Sequence, residues 1–260
     1  MLCAKRVTVC CCLAVALALA LIGPSRGGEG KQAPSVFSAS EARTRAAEVT
    51  GLSAKAIQSA SRRTVTDVSA PFEIRSLPVW EVAFGGVKLG ENRKIGSLRV
   101  WLDSRDGTLV KVFSPHPREG GLELVVGPEE REGLEASGVR FTKLSTPPKL
   151  PLGQVLAHQQ SGMLTDLPQA REVVAYYGLY CDRLPEDNPV VDRPAWFVYL
   201  GGIKHALPSG PMTAPSRGAF ASEMLAAVDA VTGQQHTALY TGRPTGVGNP
   251  LHYRIKRLPR

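Results

Sequence analysis

The strongest constraint on the fold of this chain is a stretch of eleven residues that occurs twice. It reads PVWEVAFGGVK from Pro78 and PAWFVYLGGIK from Pro194, so that six of the eleven positions are identical at an offset of 116. Further along each copy, an Asp and a Gly keep their spacing at an offset of 126. Self-similarity at a fixed spacing is the signature of an internal duplication. We therefore expect the chain to build one supersecondary structure twice.

The duplicated stretch has the composition of a strand that ends in an irregular bend. β-Branched and aromatic residues follow Trp80 and Trp196, and a Pro stands two residues before each Trp, where a strand tolerates it. The Gly-Gly pair predicts a bulge or a bend, because no helix follows whose N-terminal amides could hold a phosphate. The residues assigned to the structural repeat are Trp80, Gly85, Gly86, Asp103, Gly107, Trp196, Gly201, Gly202, Asp229 and Gly233.

The shared Asp and Gly predict a hairpin turn in each copy. Alternating apolar side chains lead into Asp103 and continue after Gly107, and the same arrangement surrounds Asp229 and Gly233. The Asp side chain can accept backbone N–H groups across the turn, and the Gly supplies the position with positive φ. The alternative is that the two Asp residues form a catalytic pair. Because each has a complete local explanation, we favour the turn.

Each copy also begins with a predicted helix. In the first copy Ser38 or Ser40 is the candidate N-cap, and Gly51 ends the helix. In the second copy the helix runs from residue 152 to 160. The β-prone segments that follow these helices cover residues 64–68 and 172–180.

Together these elements predict an α+β protein made of two duplicated units, each a helix packed on an antiparallel β-sheet. The first unit covers residues 32–118 and the second residues 149–243. A partly structured linker over 119–148 joins them, and it contains a short strand at 139–143. The basic tail, residues 244–260, is expected to be a solvated terminus, with contact to acidic lipid or a partner as the alternative.

The first 28 residues have the layout of an export signal. Lys5 and Arg6 precede an apolar run of 16 residues from Val7 to Ile22, and small residues follow. The run is shorter than the ~20 residues that span a bilayer, so a cleaved leader is preferred to an uncleaved anchor. We expect cleavage between Ala20 and Gly28, a periplasmic or extracellular protein, and no integral membrane span in the mature chain.

Four of the five cysteines lie in this leader, and only Cys181 remains in the mature chain, which therefore cannot form an internal disulfide. The whole chain has 31 basic and 23 acidic residues. This excess is small and spread along the chain, which argues against a nucleic-acid partner.

The mature chain contains none of the common catalytic, nucleotide-binding or metal-binding motifs. Its five histidines are scattered, so neither a metal nor another cofactor is predicted. Cys181 is a candidate nucleophile, but a lone thiol is more often a buried loop residue. The enzyme alternative is a hydrolase with a site between the two units, formed by His205 or His236 and an acid such as Asp229.

The helix, the W-x-V strand and the V-D-x-x-x-G hairpin resemble the PepSY domain, a small α+β module of exported bacterial proteins. The tandem arrangement is similar to the doubled layout of the beta-lactamase inhibitory protein and to cystatin-like folds. The residues that carry the resemblance are 40–51, Trp80, Val82, Asp103 and Gly107, then Trp196, Val198, Asp229 and Gly233. It implies a non-catalytic binding or inhibitory module whose partner is an exported protein or peptide.

Within such a module the open face of a sheet and the inserts of the second copy are the expected contact surfaces. Tyr176, Tyr180 and His205 are the candidate binding residues, together with the Pro-rich insert at 205–218. The alternative for the two tyrosines is that they only pack the sheet. A third possibility is purely structural, in which the open faces pack the units on each other or on a larger envelope assembly.

Overall fold

The computed structural model describes residues 37–67, 70–90, 92, 95–115, 138–183, 189–206 and 220–241. The predicted leader and the basic tail lie outside these ranges. So do residues 119–137 of the predicted linker and residues 207–218 of the insert.

The dominant element of the described part of the chain is one antiparallel sheet of nine strands. Its strands are β1 (Ile57–Asp67), β2 (Ile74–Gly85), β3 (Ser97–Asp103), β4 (Leu109–Phe113), β5 (Val139–Lys143), β6 (Glu172–Asp182), β7 (Val190–Ala206), β8 (Phe220–Asp229) and β9 (Gln235–Thr241). The order across the sheet is β1-β2-β3-β4-β6-β7-β8-β9, and β5 pairs with β6 beside β4.

The prediction of two separate helix-on-sheet units is therefore wrong, because the two copies share this sheet. Val112 and Phe113 of β4 pair with Ala175 and Val174 of β6, which joins the copies edge to edge. The composition of β6 explains the join. Its apolar side chains point to both faces and are buried on both, so the strand belongs in the centre of a sheet rather than at an edge.

The predicted linker also contributes to the sheet. Residues 139–143 form a strand, as the sequence indicates, but this strand is not independent of the repeats. It pairs antiparallel with β6 over Gly178–Asp182, on the same edge that β4 occupies further along. The two strands together cover most of that edge of β6.

Within the described ranges, two short α-helices lie on one face of the sheet: α1 (Ala39–Thr50) and α2 (Leu152–Ala157). Ser38 caps α1 in a capping box with Glu41, and Gly51 ends the helix with a φ of 72°. The N-cap of α2 is Pro151, which makes no side-chain cap, and α2 ends before the predicted boundary at residue 160.

Both helices belong to one hydrophobic core. Ala42, Ala46 and Val49 of α1 and Leu152 and Val155 of α2 lie in the same cluster of buried side chains. That cluster continues over the helix-facing side of strands from both copies. The two copies thus share a core as well as a sheet, which is the second reason why they are not separate units.

The duplicated sequence nevertheless has a duplicated backbone within this sheet. β1 and β6 are each eleven residues long, at an offset of 115. Arg62 lies opposite Trp80 in the first copy, and Tyr177 lies opposite Trp196 in the second. The pairing shifts between residues 65 and 67 in β1 and between residues 180 and 182 in β6, which is the same place in the repeat.

Rare backbone conformations repeat as well. Ser76 and Asp192 are the described non-glycine residues with positive φ, at 45° and 47°, and they stand 116 positions apart. A non-glycine residue adopts this conformation only where the surrounding structure imposes it. Both residues lie beside the shift in strand pairing, so the same irregularity recurs in both copies.

The two repeated tryptophans make equivalent hydrogen bonds in unequal surroundings. The indole Nε1 of Trp80 donates to the carbonyl oxygen of Phe37 at 2.8 Å, and that of Trp196 donates to Leu150 at 2.9 Å. Each bond ties the repeat strand to the segment just before its helix. Trp196 is fully buried, whereas Trp80 is only partly buried, because β2 lies next to β1, the outermost strand on that side among the residues described.

Candidate functional site

Asp103 is a turn residue whose charge is stabilised by cations. Its Oδ1 accepts the backbone N–H of Arg105 at 3.0 Å, and Gly107 donates to its carbonyl oxygen at 2.8 Å. Its Oδ2 lies 2.6 Å from the Arg105 guanidinium and 3.3 Å from Lys143 Nζ. Burial alone would raise the pKa of Asp103, but the Arg105 hydrogen bonds and the Lys143 charge outweigh it and lower the pKa to about 2.

This lowered pKa predicts a pH-dependent contribution to stability. A carboxyl whose pKa is lower in the folded state stabilises the protein above its unfolded pKa of about 3.9, and this contribution is lost as the pH falls towards 2. The difference in melting temperature between the wild type and Asp103→Asn should therefore be largest above about pH 5 and shrink between about pH 4 and pH 2. Arg105→Ala should raise the pKa of Asp103 in the folded state, so the difference should then be lost at a higher pH. A difference that does not change with pH would contradict the assignment.

Asp229 makes the corresponding turn in the second copy. Its Oδ1 accepts the backbone N–H groups of Val231 at 2.7 Å and of Thr232 at 2.8 Å, and Gly233 donates to its carbonyl oxygen at 2.9 Å. Both hydrogen bonds from the turn backbone to the Asp229 side chain therefore end on Oδ1. Oδ2 lies 3.6 Å from Nε2 of His236.

His236 is surrounded by side chains from several strands. Its ring stacks on Tyr180 with 5.9 Å between the ring centroids. Burial lowers the pKa of His236, and the charge of Arg193 acts in the same direction against the opposing effect of Asp229 and Asp182. The imidazole is therefore expected to be neutral near pH 7.

His205 pairs with an acid that the sequence did not indicate. Its Nδ1 lies 3.1 Å from Oδ1 of Asp166, whose side chain is almost fully buried in the turn before β6. Both histidines of the hydrolase alternative thus lie close to a carboxylate. A pocket of about 190 Å³ lies elsewhere, lined by Gly138, Arg140, Cys181 and Arg183, and includes neither histidine.

The two candidate binding tyrosines are buried, each 2% exposed. The hydroxyl of Tyr176 donates to Oδ2 of Asp67 at 3.0 Å, and Phe72 packs edge-on against its ring at 5.8 Å. Both contacts come from the far end of the β1–β2 hairpin, which folds over the face of the sheet opposite the helices. The hydroxyl of Tyr180 donates to Asp182 at 2.9 Å. Neither tyrosine is accessible to a partner in this structure. This agrees with the alternative interpretation, in which the two tyrosines only pack the sheet.

The face covered by this hairpin carries two charged groups that the sequence pattern did not reveal. Lys111 donates to Oδ2 of Asp67 at 2.6 Å, and its Nζ lies over the rings of Trp101, Phe113 and Tyr176 at 5.3 to 5.4 Å. These contacts hold the tip of the hairpin on the sheet. A lysine flanked by aromatic and β-branched residues in a strand is the signal that could have indicated an ion pair here.

The second charged group is Glu81, which is 7% exposed. It accepts two hydrogen bonds of 2.9 Å from Nη1 of Arg63, one of 3.2 Å from Arg99 and one of 2.9 Å from Nε1 of Trp101. The carboxylate is thus fully used in joining β1, β2 and β3. It has no spare oxygen for proton transfer or metal binding.

In the part of the chain that the structure describes, the strand order ends at β1 and β9, so both strands have an open edge, and that of β1 is the longer, with eleven residues against seven. Among the described residues β1 has a strand on one side only, and its central residues Ser61, Arg62, Arg63 and Thr64 are exposed. An unpaired edge presents N–H and C=O groups that a further strand can use. The counterpart of β1 in the second copy, β6, has strands on both sides.

In the described ranges, no three His, Cys, Asp or Glu side chains come together to hold a metal ion. The helices of these ranges are too short and too polar to cross a membrane.

Comparison of the chain with protein-family models, with curated proteins and with solved structures gives no significant match. The resemblance to the PepSY domain therefore stays a prediction.

Proposed function

We propose that the protein is a binding protein that holds an extended segment of another protein or a peptide along the outer edge of β1. The observation that carries the proposal is the length of this edge, eleven residues without a strand on the outer side among the residues described. Main-chain hydrogen bonds to such an edge give affinity without any catalytic group. Because the sequence predicts an export leader, we expect the partner among exported proteins.

The backbone geometry identifies which residues of β1 face outwards. The carbonyl oxygen of Pro78 accepts from the N–H of Ser104 at 3.0 Å, so the backbone groups of Pro78 point towards β3. Thr64 lies opposite Pro78 in the β1–β2 pair. Since facing residues of an antiparallel pair either exchange both hydrogen bonds or none, the N–H and C=O of Thr64 point away from β2. Backbone groups alternate in direction along a strand, so the N–H and C=O of Ser61, three residues before Thr64, point towards β2.

This alternation provides a matched pair of variants. Thr64→Pro removes an outward N–H, so the fold should be retained and partner capture lost. Ser61→Pro removes a hydrogen bond between β1 and β2 and should lower the melting temperature instead. The measurement is recovery of exported proteins from the same cells on immobilised mature protein, together with thermal melting. If Thr64→Pro melts like the wild type and recovers the same proteins, the edge is not the binding site.

The hydrolase remains the second candidate because His205 lies 3.1 Å from Asp166 and His236 lies 3.6 Å from Asp229. Under the binding proposal, His205→Asn and His236→Asn should leave capture unchanged. If either substitution abolishes the biological effect of the protein while its melting temperature is retained, the hydrolase becomes the better explanation.

A further inference from the structure

We propose that the β1 edge accepts an antiparallel strand with acidic side chains near its C-terminal end, in the register in which β5 pairs with β6. This inference rests on the proposed function and adds the direction, the register and the charge of the partner segment. It uses the internal duplication. In the second copy β5 pairs with the outer edge of β6, whereas the corresponding edge of β1 has no strand beside it among the described residues.

The outer edge of β1 has the same backbone design as that of β6. The two strands have the same length, the same position opposite the repeated Trp, and the same shift in pairing near their ends. Beside the shift, Ser76 and Asp192 share a rare positive φ. A strand that fits the outer edge of β6 therefore fits that of β1 in register, and in backbone geometry over Thr64–Asp67. Opposite Arg63 it must lie further out than β5 lies opposite Gly178, because a Cβ at Gly178 would clash with the carbonyl oxygen of Thr142.

The strand that occupies the β6 edge sets the direction and the register. β5 runs antiparallel to β6, from Val139 opposite Asp182 to Lys143 opposite Gly178. At the offset of 115, Gly178–Asp182 corresponds to Arg63–Asp67 of β1. The partner segment should thus begin opposite Asp67 and end opposite Arg63, with its next residue beside Arg62.

The side chains at this end of the edge are cationic. β6 has Tyr177 and Gly178 where β1 has Arg62 and Arg63. The Arg62 guanidinium lies 5.0 Å from the Trp80 ring and contacts no carboxylate within the described ranges. The side chain of Arg63 is 53% exposed, and both of its hydrogen bonds to Glu81 come from Nη1.

The local charge therefore favours an acidic partner. Glu81 is already shared between Arg63 and Arg99, so two guanidinium groups face one buried carboxylate. The Arg62 guanidinium adds a positive charge on the other face of the sheet, over the Trp80 ring. Opposite charges directly across two strands stabilise the pair, and like charges destabilise it. An acidic residue opposite Arg63 and another beside Arg62 would neutralise the excess positive charge of these arginines.

A second copy of the chain is a poorer occupant of this edge. The only carboxylate in β1 is that of Asp67, which is bound to Lys111 at 2.6 Å and to Tyr176 at 3.0 Å. Two β1 strands would therefore bring two Arg pairs together without supplying a further acid. The occupant that the charges favour is a segment of another protein.

The test uses the full mature protein and synthetic peptides whose sequences derive from β5. Three peptides contain the sequences VTFTEE, VTFTKK and VTFTQQ between neutral flanking residues, so that only the two residues near Arg63 and Arg62 differ. Binding is measured from the amide chemical shifts of residues 61–66 by NMR titration. VTFTEE should bind roughly three- to tenfold more tightly than VTFTKK, with VTFTQQ between them. Arg62→Glu should reduce or reverse this preference.

Direction is tested with a nitroxide label on the N-terminus of VTFTEE. The label should broaden the amide signal of Asp67 more than that of Ser61, and a label on the C-terminus should do the opposite. If VTFTKK binds as tightly as VTFTEE, or if the labels give the reverse pattern, the inference is wrong while strand addition stands. If no peptide shifts the β1 amides and Thr64→Pro leaves capture intact, the proposed function itself fails. A β1-dependent dimer in sedimentation experiments would replace the acidic partner by a second copy.

Discussion

Trp196→Ala is expected to lower the free energy of unfolding by roughly 3 to 5 kcal/mol. The indole is fully buried between the helices and the sheet, and its ring packs on Tyr177 with 5.4 Å between the centroids. The substitution removes these contacts and leaves a cavity that the surrounding strands cannot close. It also leaves the carbonyl oxygen of Leu150 without the 2.9 Å hydrogen bond from Nε1. Urea denaturation monitored by circular dichroism gives the value.

The repeat supplies a matched control in Trp80→Ala. Trp80 donates the equivalent hydrogen bond to Phe37, but it is only partly buried, and the Arg62 guanidinium covers its ring where Tyr177 covers that of Trp196. The loss for Trp80→Ala should therefore be clearly smaller. A loss at Trp80 as large as that at Trp196 would mean that burial does not set the difference.

The elements that could be predicted from the sequence are those whose contacts are local. The cap formed by Ser38 and Glu41 joins residues three positions apart, and the hairpin turn at Asp103 closes within five residues. Residue type and spacing determine such contacts almost completely. The strand at 139–143 was also visible from its composition, but its position in the sheet was not.

The join between the two copies could not be read from local patterns, because it depends on strand pairs far apart in sequence. β4 meets β6 through residues about 60 positions apart, such as Phe113 and Val174. The available signal was the near-continuous apolar run of β6, which is typical of a strand buried on both faces. Of the two interpretations of Tyr176 and Tyr180, contact with a partner or packing of the sheet, this signal favours packing.

The charged residues of the face opposite the helices were missed for the same reason. Asp67 meets Lys111 across 44 positions and Tyr176 across 109. A lone Asp at the end of a predicted strand is usually a solvated residue, and nothing near it in sequence identifies a partner. Only the fold of the β1–β2 hairpin over the sheet brings the three side chains together.

This cluster is the basis of the second large prediction. Asp67→Asn should lower the free energy of unfolding by roughly 3 kcal/mol, because it leaves the Lys111 ammonium without its carboxylate in a site where the Lys111 side chain is 13% exposed. The three aromatic rings around Nζ offset part of this cost, but a cation–π contact is weaker than the lost ion pair. Equilibrium denaturation at pH 7 measures the loss.

A double substitution separates the cost of an unpaired charge from the value of the pair. Asp67→Leu combined with Lys111→Met replaces two buried charges by apolar groups of similar size, and the thioether can keep contact with the rings of Trp101 and Phe113. The double variant should therefore recover most of the stability lost in Asp67→Leu, which alone should be at least as destabilising as Asp67→Asn. The loss that remains reflects the Tyr176 hydroxyl, which no longer has Asp67 as its acceptor. If the double variant is no more stable than Asp67→Leu, the loss does not come from the unpaired lysine. In that case Asp67 holds the tip mainly through its hydrogen bond with Tyr176.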